Sequence, residues 1–307
     1  MKVAFCFPGQ GSLETGMGRD IAEAFPAAKE VYRLGSEASG LDLETLCFET
    51  PIEEMVETEV QQPALVATSL AILAAMRERG LAPDVVVGHS VGEFAALAAA
   101  GSLGTGEAIG LVRERGLAMA EAARARPGTM AAILGLDDEE VEKLCRKIIG
   151  VWPANYNCPG QIVISGEHAA VEELCAEAES LGARRAVRLK VSGAFHSPLV
   201  ARAADRLRPA IDKIHFPEAV TPFMSTVTAR IEPAQKLAAL LVDQLTAPVR
   251  FTQAATELIR GGATTFVEVG PGNVLSGLVK RIDRGVKTVS VNTVESLERA
   301  QEALSSR

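Results

Sequence analysis

The stretch Gly88-His89-Ser90-Val91-Gly92-Glu93, directly behind the apolar run Val85-Val86-Val87, decides the fold. The valines read as a short buried strand, and residues 94–100 as an Ala-rich helix. Between them, small residues two before and two after Ser90 let the backbone take a strained turn that larger side chains would crowd. Such an elbow lifts the Ser90 hydroxyl out at the head of a helix, where free N–H groups and the helix dipole favour a developing negative charge. A Gly-rich turn that merely contains a serine is the competing reading. The strand before and the helix after are the context a nucleophile elbow requires.

Outward from the elbow, strand-like runs alternate with amphipathic helices: a strand over 3–7, helices within 21–39, 51–56 and 64–79, then the strand over 85–87. That alternation marks a parallel sheet covered by helices. A helix over 106–124 closes this part, and Pro127-Gly128 breaks the chain. Beyond it come a strand over 130–134, a helix over 138–149, a strand over 161–165, a helix over 169–181 and a strand over 185–191. This β-α-β-α-β run, set off by Pro127-Gly128 and Gly193, reads as an inserted small domain of ferredoxin-like type. Helices return from His196, with strands over 265–269 and 287–291. The expected architecture is α/β, with a large parallel-sheet domain over 1–126 and 194–307 and a small domain over 127–193.

A chain of 307 residues is long enough for such a large core and a second, smaller one. Its formal net charge of −8, with Lys and Arg scattered, excludes nucleic acid as the expected partner. The cysteines (Cys6, Cys47, Cys145, Cys158 and Cys175) are odd in number and form no C-x-x-C pair. They read as reduced thiols of a cytoplasmic protein, with neither a disulfide framework nor a zinc site. The apolar run at 3–7 is too short for a signal sequence, and no later segment reads as a membrane span.

A serine hydroxyl is a poor nucleophile until a base takes its proton. Of the four histidines, His89 adjoins Ser90 and should point away from the hydroxyl, in a packing or positioning role. His168 reads as part of a surface turn, and His215 as part of a loop or strand start. His196, in Ser192-Gly193-Ala194-Phe195-His196-Ser197-Pro198, sits on a loop before a helix opened by Ser197 as N-cap and Pro198 at N1. It is the candidate general base, against the alternative of an ordinary loop histidine. No carboxylate stands out as its orienting partner, and a backbone carbonyl can serve instead.

Arg115 is the second informative cation. At about 100° per residue it lies beside Ala108, Val112 and Met119 on the apolar face of its helix. A buried guanidinium needs an anion. That anion is either a structural carboxylate or a substrate carboxylate gripped by the guanidinium fork. The turn Phe7-Pro8-Gly9-Gln10-Gly11-Ser12 could bring another N–H toward Ser90, and neither it nor Gly270-Pro271-Gly272 matches a dinucleotide fingerprint or a P-loop.

Together these segments resemble the malonyl-CoA:acyl-carrier-protein transacylase family, which is related to the acyltransferase domains of polyketide synthases. The resemblance covers nearly the whole chain. It rests on FPGQGS (7–12), QQPA (61–64), GHSVGE (88–93), Arg115-Gly116, NCPGQIVISG (157–166), SGAFHSPL (192–199), QLTAPVRF (244–251) and EVGPGNVL (268–275).

The resemblance implies an α/β-hydrolase-like large domain, a ferredoxin-like small domain and a site in the groove between them. It further implies acylation of Ser90, His196 as base and then acid, and the backbone carbonyl of Gln244 as the group that orients His196. Backbone N–H groups of Gln10 and Val91 would form the oxyanion hole. Arg115 would bind the malonyl carboxylate, with Gln62, Asn157 and Gln161 lining the groove. Val91 stands where the family more often has Leu, at a position used through its backbone only. Phe195 before His196 resembles malonyl-selective members.

The implied substrates are malonyl-CoA and the phosphopantetheine thiol of acyl carrier protein, in fatty-acid biosynthesis or as a discrete acyltransferase of polyketide synthesis. No bound cofactor or metal is implied, and a monomer is expected. A serine thioesterase would use the same elbow but has no use for a buried Arg115, and an inactive carrier-docking module would not keep Ser90, His196 and Arg115 together. For an acidic carrier protein, the basic group Lys280, Arg281 and Arg284 is the favoured docking surface, with Arg184, Arg185, Arg188 and Lys190 as the competing one.

Overall fold

The computed structural model describes residues 2–304. Its strands, in chain order, are β1 (Lys2–Phe7), β2 (Val85–Gly88), β3 (Thr129–Leu134), β4 (Val151–Cys158), β5 (Gln161–Gly166), β6 (Arg185–Arg188), β7 (Phe223–Ser225), β8 (Arg230–Ile231), β9 (Ala263–Val269) and β10 (Lys287–Val291).

Among the described residues they form two separate sheets. The larger has the order β10-β9-β1-β2-β7-β8. Its strands run parallel from β10 through β7, and β8 closes the edge antiparallel. The smaller is antiparallel, in the order β4-β5-β3-β6. The fold is therefore mixed α/β with a largely parallel sheet and a distinct antiparallel one.

β2 is buried along its whole length, as a run of three valines and a glycine at the middle of a sheet covered on both faces must be. It pairs with β1 so that Phe7 lies opposite Gly88. The two strands thus end level, and their following turns share one edge of the sheet, where open α/β sheets build ligand sites. The helix Gly92–Ala100 then packs every residue into the core.

Several expected elements take a different form. Residues 51–56 make turns instead of a helix, and a helix forms at Leu43–Phe48. Asp42 caps that helix by accepting from the Thr45 N–H at 3.1 Å. β4, β7 and β8 escape the pattern of alternating apolar residues. β4 carries Pro153 and two asparagines, β7 is three residues long and β8 two. The strand expected over 185–191 stops at Arg188.

The helix Thr58–Glu78 extends six residues before the expected start and holds Pro63 in its interior; the Glu59 carbonyl that Pro63 cannot bond accepts from Arg113 at 2.6 Å instead. It is long and apolar enough to cross a membrane by length and composition, which corrects the expectation that no segment would be. Its apolar residues point all round because it is a core helix: 78% of its apolar window is buried inside the fold. The five cysteines are all free thiols.

Candidate active site

Ser90 sits in the turn between β2 and the helix Gly92–Ala100 with φ = 54°, in the left-handed region that costs a serine backbone energy. The glycines on either side make that turn possible. A Cβ on Gly92 would run into the Phe7 carbonyl, and one on Gly88 into the backbone of Gly92 and Glu93. β1 and the elbow can approach this closely only because neither position carries a side chain.

His196 also has a left-handed backbone, φ = 57°. Its N–H donates to the Leu245 carbonyl at 3.1 Å, and its ring Nδ1 faces the carbonyls of Gln244 at 2.8 Å and Ala247 at 3.1 Å. Two carbonyl acceptors place the ring proton on Nδ1. Nε2, 2.8 Å from Ser90 Oγ, is then the lone-pair nitrogen, and the Ser90 hydroxyl donates to it. Burial pushes the imidazole down to about 3, with the Arg115 charge adding to the effect. The resting histidine is a neutral acceptor.

The carbonyls that orient it belong to a segment stitched to the small sheet. Val249 N donates to the Ala154 carbonyl at 2.8 Å, and Tyr156 N donates to the Val249 carbonyl at 2.8 Å.

Arg115 is 1% exposed, on the helix Thr105–Ala125. Gly116 lets that helix lie against the backbone of Glu59, 2.5 Å from where a Cβ would stand, so Arg115 is carried in toward the elbow. Its guanidinium donates to Gln62 Oε1 at 2.6 Å, Gln244 Oε1 at 3.0 Å and Ser90 Oγ at 3.2 Å. Its Nε is buried with no partner among the described residues. Burial lowers the guanidinium's affinity for its proton, with Glu93 opposing that effect, and a guanidinium remains charged regardless.

The site opens into a cavity of ≈ 210 Å³ whose wall includes Gln10, Ser90, Val91, Arg115, Asn157, Gln161 and His196. Gln62 does not share that wall, which corrects its expected place in the groove. Fully buried, it accepts from Arg115 and donates to Thr58 Oγ1 at 2.8 Å, and Thr58 donates on to Gln10 Oε1 at 3.0 Å. A directed series of hydrogen bonds therefore runs from Arg115 to the side chain of Gln10. Asn157 Oδ1 receives His89 Nε2 at 2.9 Å, so His89 points away from the hydroxyl and bridges the elbow to β4. Gln161 Oε1 accepts from Arg281 at 2.5 Å. Lys280, Arg281 and Arg284 are exposed, and Val274, Leu275 and Leu278 of the same helix face the cavity. Arg184 and Arg185 are exposed on the small sheet. His168 opens a helix, His168–Ser180, where a surface turn was expected, and His215 lies in a loop.

Sequence reading assigned nothing to Glu93, which is 1% exposed. Its Oε1 accepts from Thr226 N at 2.6 Å and Thr226 Oγ1 at 2.9 Å, and its Oε2 from Gln244 Nε2 at 2.8 Å. Burial raises its carboxyl to about 7 against the pull of those bonds and of Arg115. A carboxylate at the head of an otherwise apolar, Ala-rich helix was the available signal, since such a group survives burial only with partners.

A strained serine at a helix head, donating to a buried neutral histidine beside a buried cation, defines a serine acyl-transfer site. The chain belongs to the acyl transferase domain family, which it matches over residues 4–305. It is 44% identical over 308 residues to the malonyl CoA-acyl carrier protein transacylase of Bacillus subtilis strain 168, covering 99% of this chain and 97% of that protein. The solved acyl-carrier-protein-S-malonyltransferase of Bartonella henselae superposes with a TM-score of 0.95 at 38% identity, covering 99% of this chain and 100% of that one. A malonyl-transacylase solved in complex with its type II polyketide synthase acyl-carrier protein gives 0.95 at 39% identity, with coverages of 99% and 100%.

Proposed function

We propose that this protein transfers the malonyl group from malonyl-CoA to the phosphopantetheine thiol of acyl carrier protein, by a ping-pong mechanism through malonyl-Ser90, in fatty-acid biosynthesis. The observation that carries the reading is Arg115, a buried cation 3.2 Å from the nucleophile with one buried N–H unpartnered. An acyl group ending in a carboxylate completes it.

In the first half-reaction His196 Nε2 takes the Ser90 proton while Oγ attacks the thioester carbonyl carbon. The oxyanion is received by the backbone N–H groups of Gln10 and Val91. The C–S bond breaks, the proton passes from His196 to the departing sulfur, and CoA leaves as a thiol. In the second half-reaction the carrier thiol gives its proton to His196 and its sulfur attacks the acyl carbon. Ser90 regains the proton as the C–O bond breaks. The Gln244 carbonyl holds the imidazole through both halves, Arg115 grips the malonyl carboxylate, and Asn157 and Gln161 shape the groove. No cofactor or metal enters the cycle.

The same reading assigns residues 1–126 and 194–307 to an α/β-hydrolase-like catalytic domain and 127–193 to a ferredoxin-like one. The fall of β3 through β6 within 129–188, in a sheet of their own, supports this division. A role with a polyketide carrier is the second reading, favoured by the similarity to the carrier-bound malonyl-transacylase of a type II polyketide synthase.

Incubation with malonyl-CoA alone should give a single malonyl adduct by intact mass, absent in Ser90→Ala and discharged by holo acyl carrier protein. An adduct that survives in Ser90→Ala would place the acyl group on another residue and refute the reading, and one lost to water as fast as to the carrier thiol would make the protein a hydrolase.

A further inference from the structure

Gln244 has two separate duties at this site. Its backbone carbonyl takes the His196 ring proton, and its side-chain oxygen takes a hydrogen bond from Arg115. The second contact depends on which way round the amide lies. With the oxygen toward Arg115 the NH₂ must face away, and there it meets Glu93 Oε2 at 2.8 Å. Had the amide been reversed, its NH₂ would oppose the guanidinium, donor against donor, and its oxygen would oppose a carboxylate, acceptor against acceptor. Arg115 and Glu93 both oppose the reversal, and Glu93 is the one that does so from outside the guanidinium contact it protects. Its other oxygen is held by the backbone and hydroxyl of Thr226, with the Ser225 hydroxyl at 3.4 Å, so the carboxylate cannot rotate away.

We propose that Glu93 is a positioning residue that fixes the direction of the Gln244 amide and thereby holds Arg115 beside Ser90. The Glu93 backbone N–H donates to the Ser90 carbonyl at 3.0 Å, but its carboxylate bonds only to Thr226, Ser225 and Gln244 and reaches neither the Ser90 hydroxyl nor the acyl group. It acts from the far side of Gln244, while Gln62 holds another guanidinium nitrogen. The two glutamines set the guanidinium plane between them, and the direction of each amide is imposed by its neighbour: a carboxylate for Gln244, the Thr58 hydroxyl for Gln62. Malonyl selectivity therefore depends on a residue of the elbow helix that the acyl group never meets. This inference rests on the proposed malonyl transfer.

The isosteric variant Glu93→Gln keeps the side-chain volume but replaces one acceptor by a donor. If its amide oxygen stays on the Thr226 N–H, its NH₂ opposes the Gln244 NH₂ and favours the reversed amide. Gln244→Met cuts the same connection from the other end and retains the backbone carbonyl that holds His196. Rates are expressed per acylatable Ser90, counted as malonyl or acetyl adduct by intact mass, so that loss of folded protein does not enter.

Wild-type protein must first transfer malonyl in preference to acetyl; its failure to do so would count against the proposed function and not against Glu93. Given that preference, Glu93→Gln and Gln244→Met should each lower the malonyl-to-acetyl ratio of kcat/KM by roughly ten- to a hundredfold, the range for a lost hydrogen bond to a charged group. The double variant should be no worse than the poorer single one, because both remove one connection. A residue that only stabilises the fold would leave the ratio per active site unchanged. Wild-type selectivity in Glu93→Gln, or losses that multiply in the double variant, would overturn the proposal. Should Glu93→Gln fail to fold, Glu93→Asp withdraws the carboxylate from the Gln244 NH₂ while keeping its charge, and it should lower the ratio likewise; an unchanged ratio in Glu93→Asp would overturn the proposal.

Discussion

Arg115 donates to Ser90 Oγ at 3.2 Å, so the cation and the nucleophile are in direct contact before any acyl group arrives. That contact has two consequences. The guanidinium sits where a carboxylate two bonds from the reacting carbonyl could reach it, and its positive charge bears on the histidine hydrogen-bonded to the same oxygen.

Arg115→Ala should accordingly change which acyl group is accepted. A bidentate charged contact in a partly dry site is worth on the order of 2–4 kcal/mol, so kcat/KM for malonyl-CoA should fall by roughly a hundredfold or more. Acetyl transfer, which has no carboxylate to lose, should hold or rise. Steady-state rates with both thioesters check this, and equal losses for the two would mean that Arg115 is structural.

The same contact sets the histidine. Burial first, and Arg115 second, push the His196 imidazole down to about 3. A group whose basicity is lowered in the folded protein stays deprotonated as the pH falls, so the ring should remain neutral well below the ordinary histidine value of about 6.5. Removing Arg115 removes one of the causes and leaves burial, the largest, in place, so the His196 pKa should rise while remaining below its unperturbed value. Titration of the imidazole carbons by nuclear magnetic resonance, in wild type and in Arg115→Ala, follows this directly. A downward shift in the variant would contradict the arrangement.

The residues that carry this chemistry differ in how far they could be read from the chain. Ser90 was legible because its signal is local: two glycines, a strand before and a helix after. His196 was reachable because the candidates were few, although it lies 106 residues from the serine it meets. Arg115 showed itself through helical periodicity, as a charge among apolar neighbours. Glu93 showed only its type, since its partners Thr226 and Gln244 stand 133 and 151 residues away and no pattern in the chain brings them together. Gln62 was placed on the wall of the groove because a polar residue in a recurring motif suggests contact with substrate. The packing of Thr58–Glu78 on Thr105–Ala125 turns it inward onto Arg115 instead. In the fold, β4 was illegible for a related reason. Its proline and asparagines break the alternation by which strands are recognised, and its pairing with β5 supplies the order that its own composition does not.

The close approach of β1 to the elbow gives a prediction about stability. In Gly92→Ala the added Cβ would collide with the Phe7 carbonyl, a backbone atom of a buried strand that has no room to withdraw. The variant should lose on the order of 1–3 kcal/mol of stability, typical of overpacking in a tight core. Acylation of whatever protein folds should be slower, because the shift that relieves the collision moves Ser90 relative to His196. Urea unfolding together with single-turnover acylation checks both parts, and an alanine accepted without cost would mean that the elbow does not need its glycine.

Docking of an acidic carrier protein requires a local basic surface, because the chain carries a net charge of −8 and cannot attract such a partner uniformly. Two exposed clusters compete. The helix Val274–Ile282 turns Val274, Leu275 and Leu278 toward the cavity, and Arg281 reaches Gln161 on the cavity wall. A carrier held by Lys280, Arg281 and Arg284 could therefore deliver its thiol along that helix to Ser90. Arg184 and Arg185 lie on the small sheet, where Arg188 of the same cluster is already paired with Glu172. Reversing Arg284 to glutamate spares both the Gln161 contact and the bond from Lys280 to the Val286 carbonyl. It should raise KM for the carrier protein about tenfold and flatten the dependence of transfer on ionic strength, since exposed charge pairs are the ones salt screens. The KM for malonyl-CoA should move less. If carrier kinetics stay the same in that variant while reversal of Arg184 and Arg185 impairs them, the carrier docks on the small sheet instead.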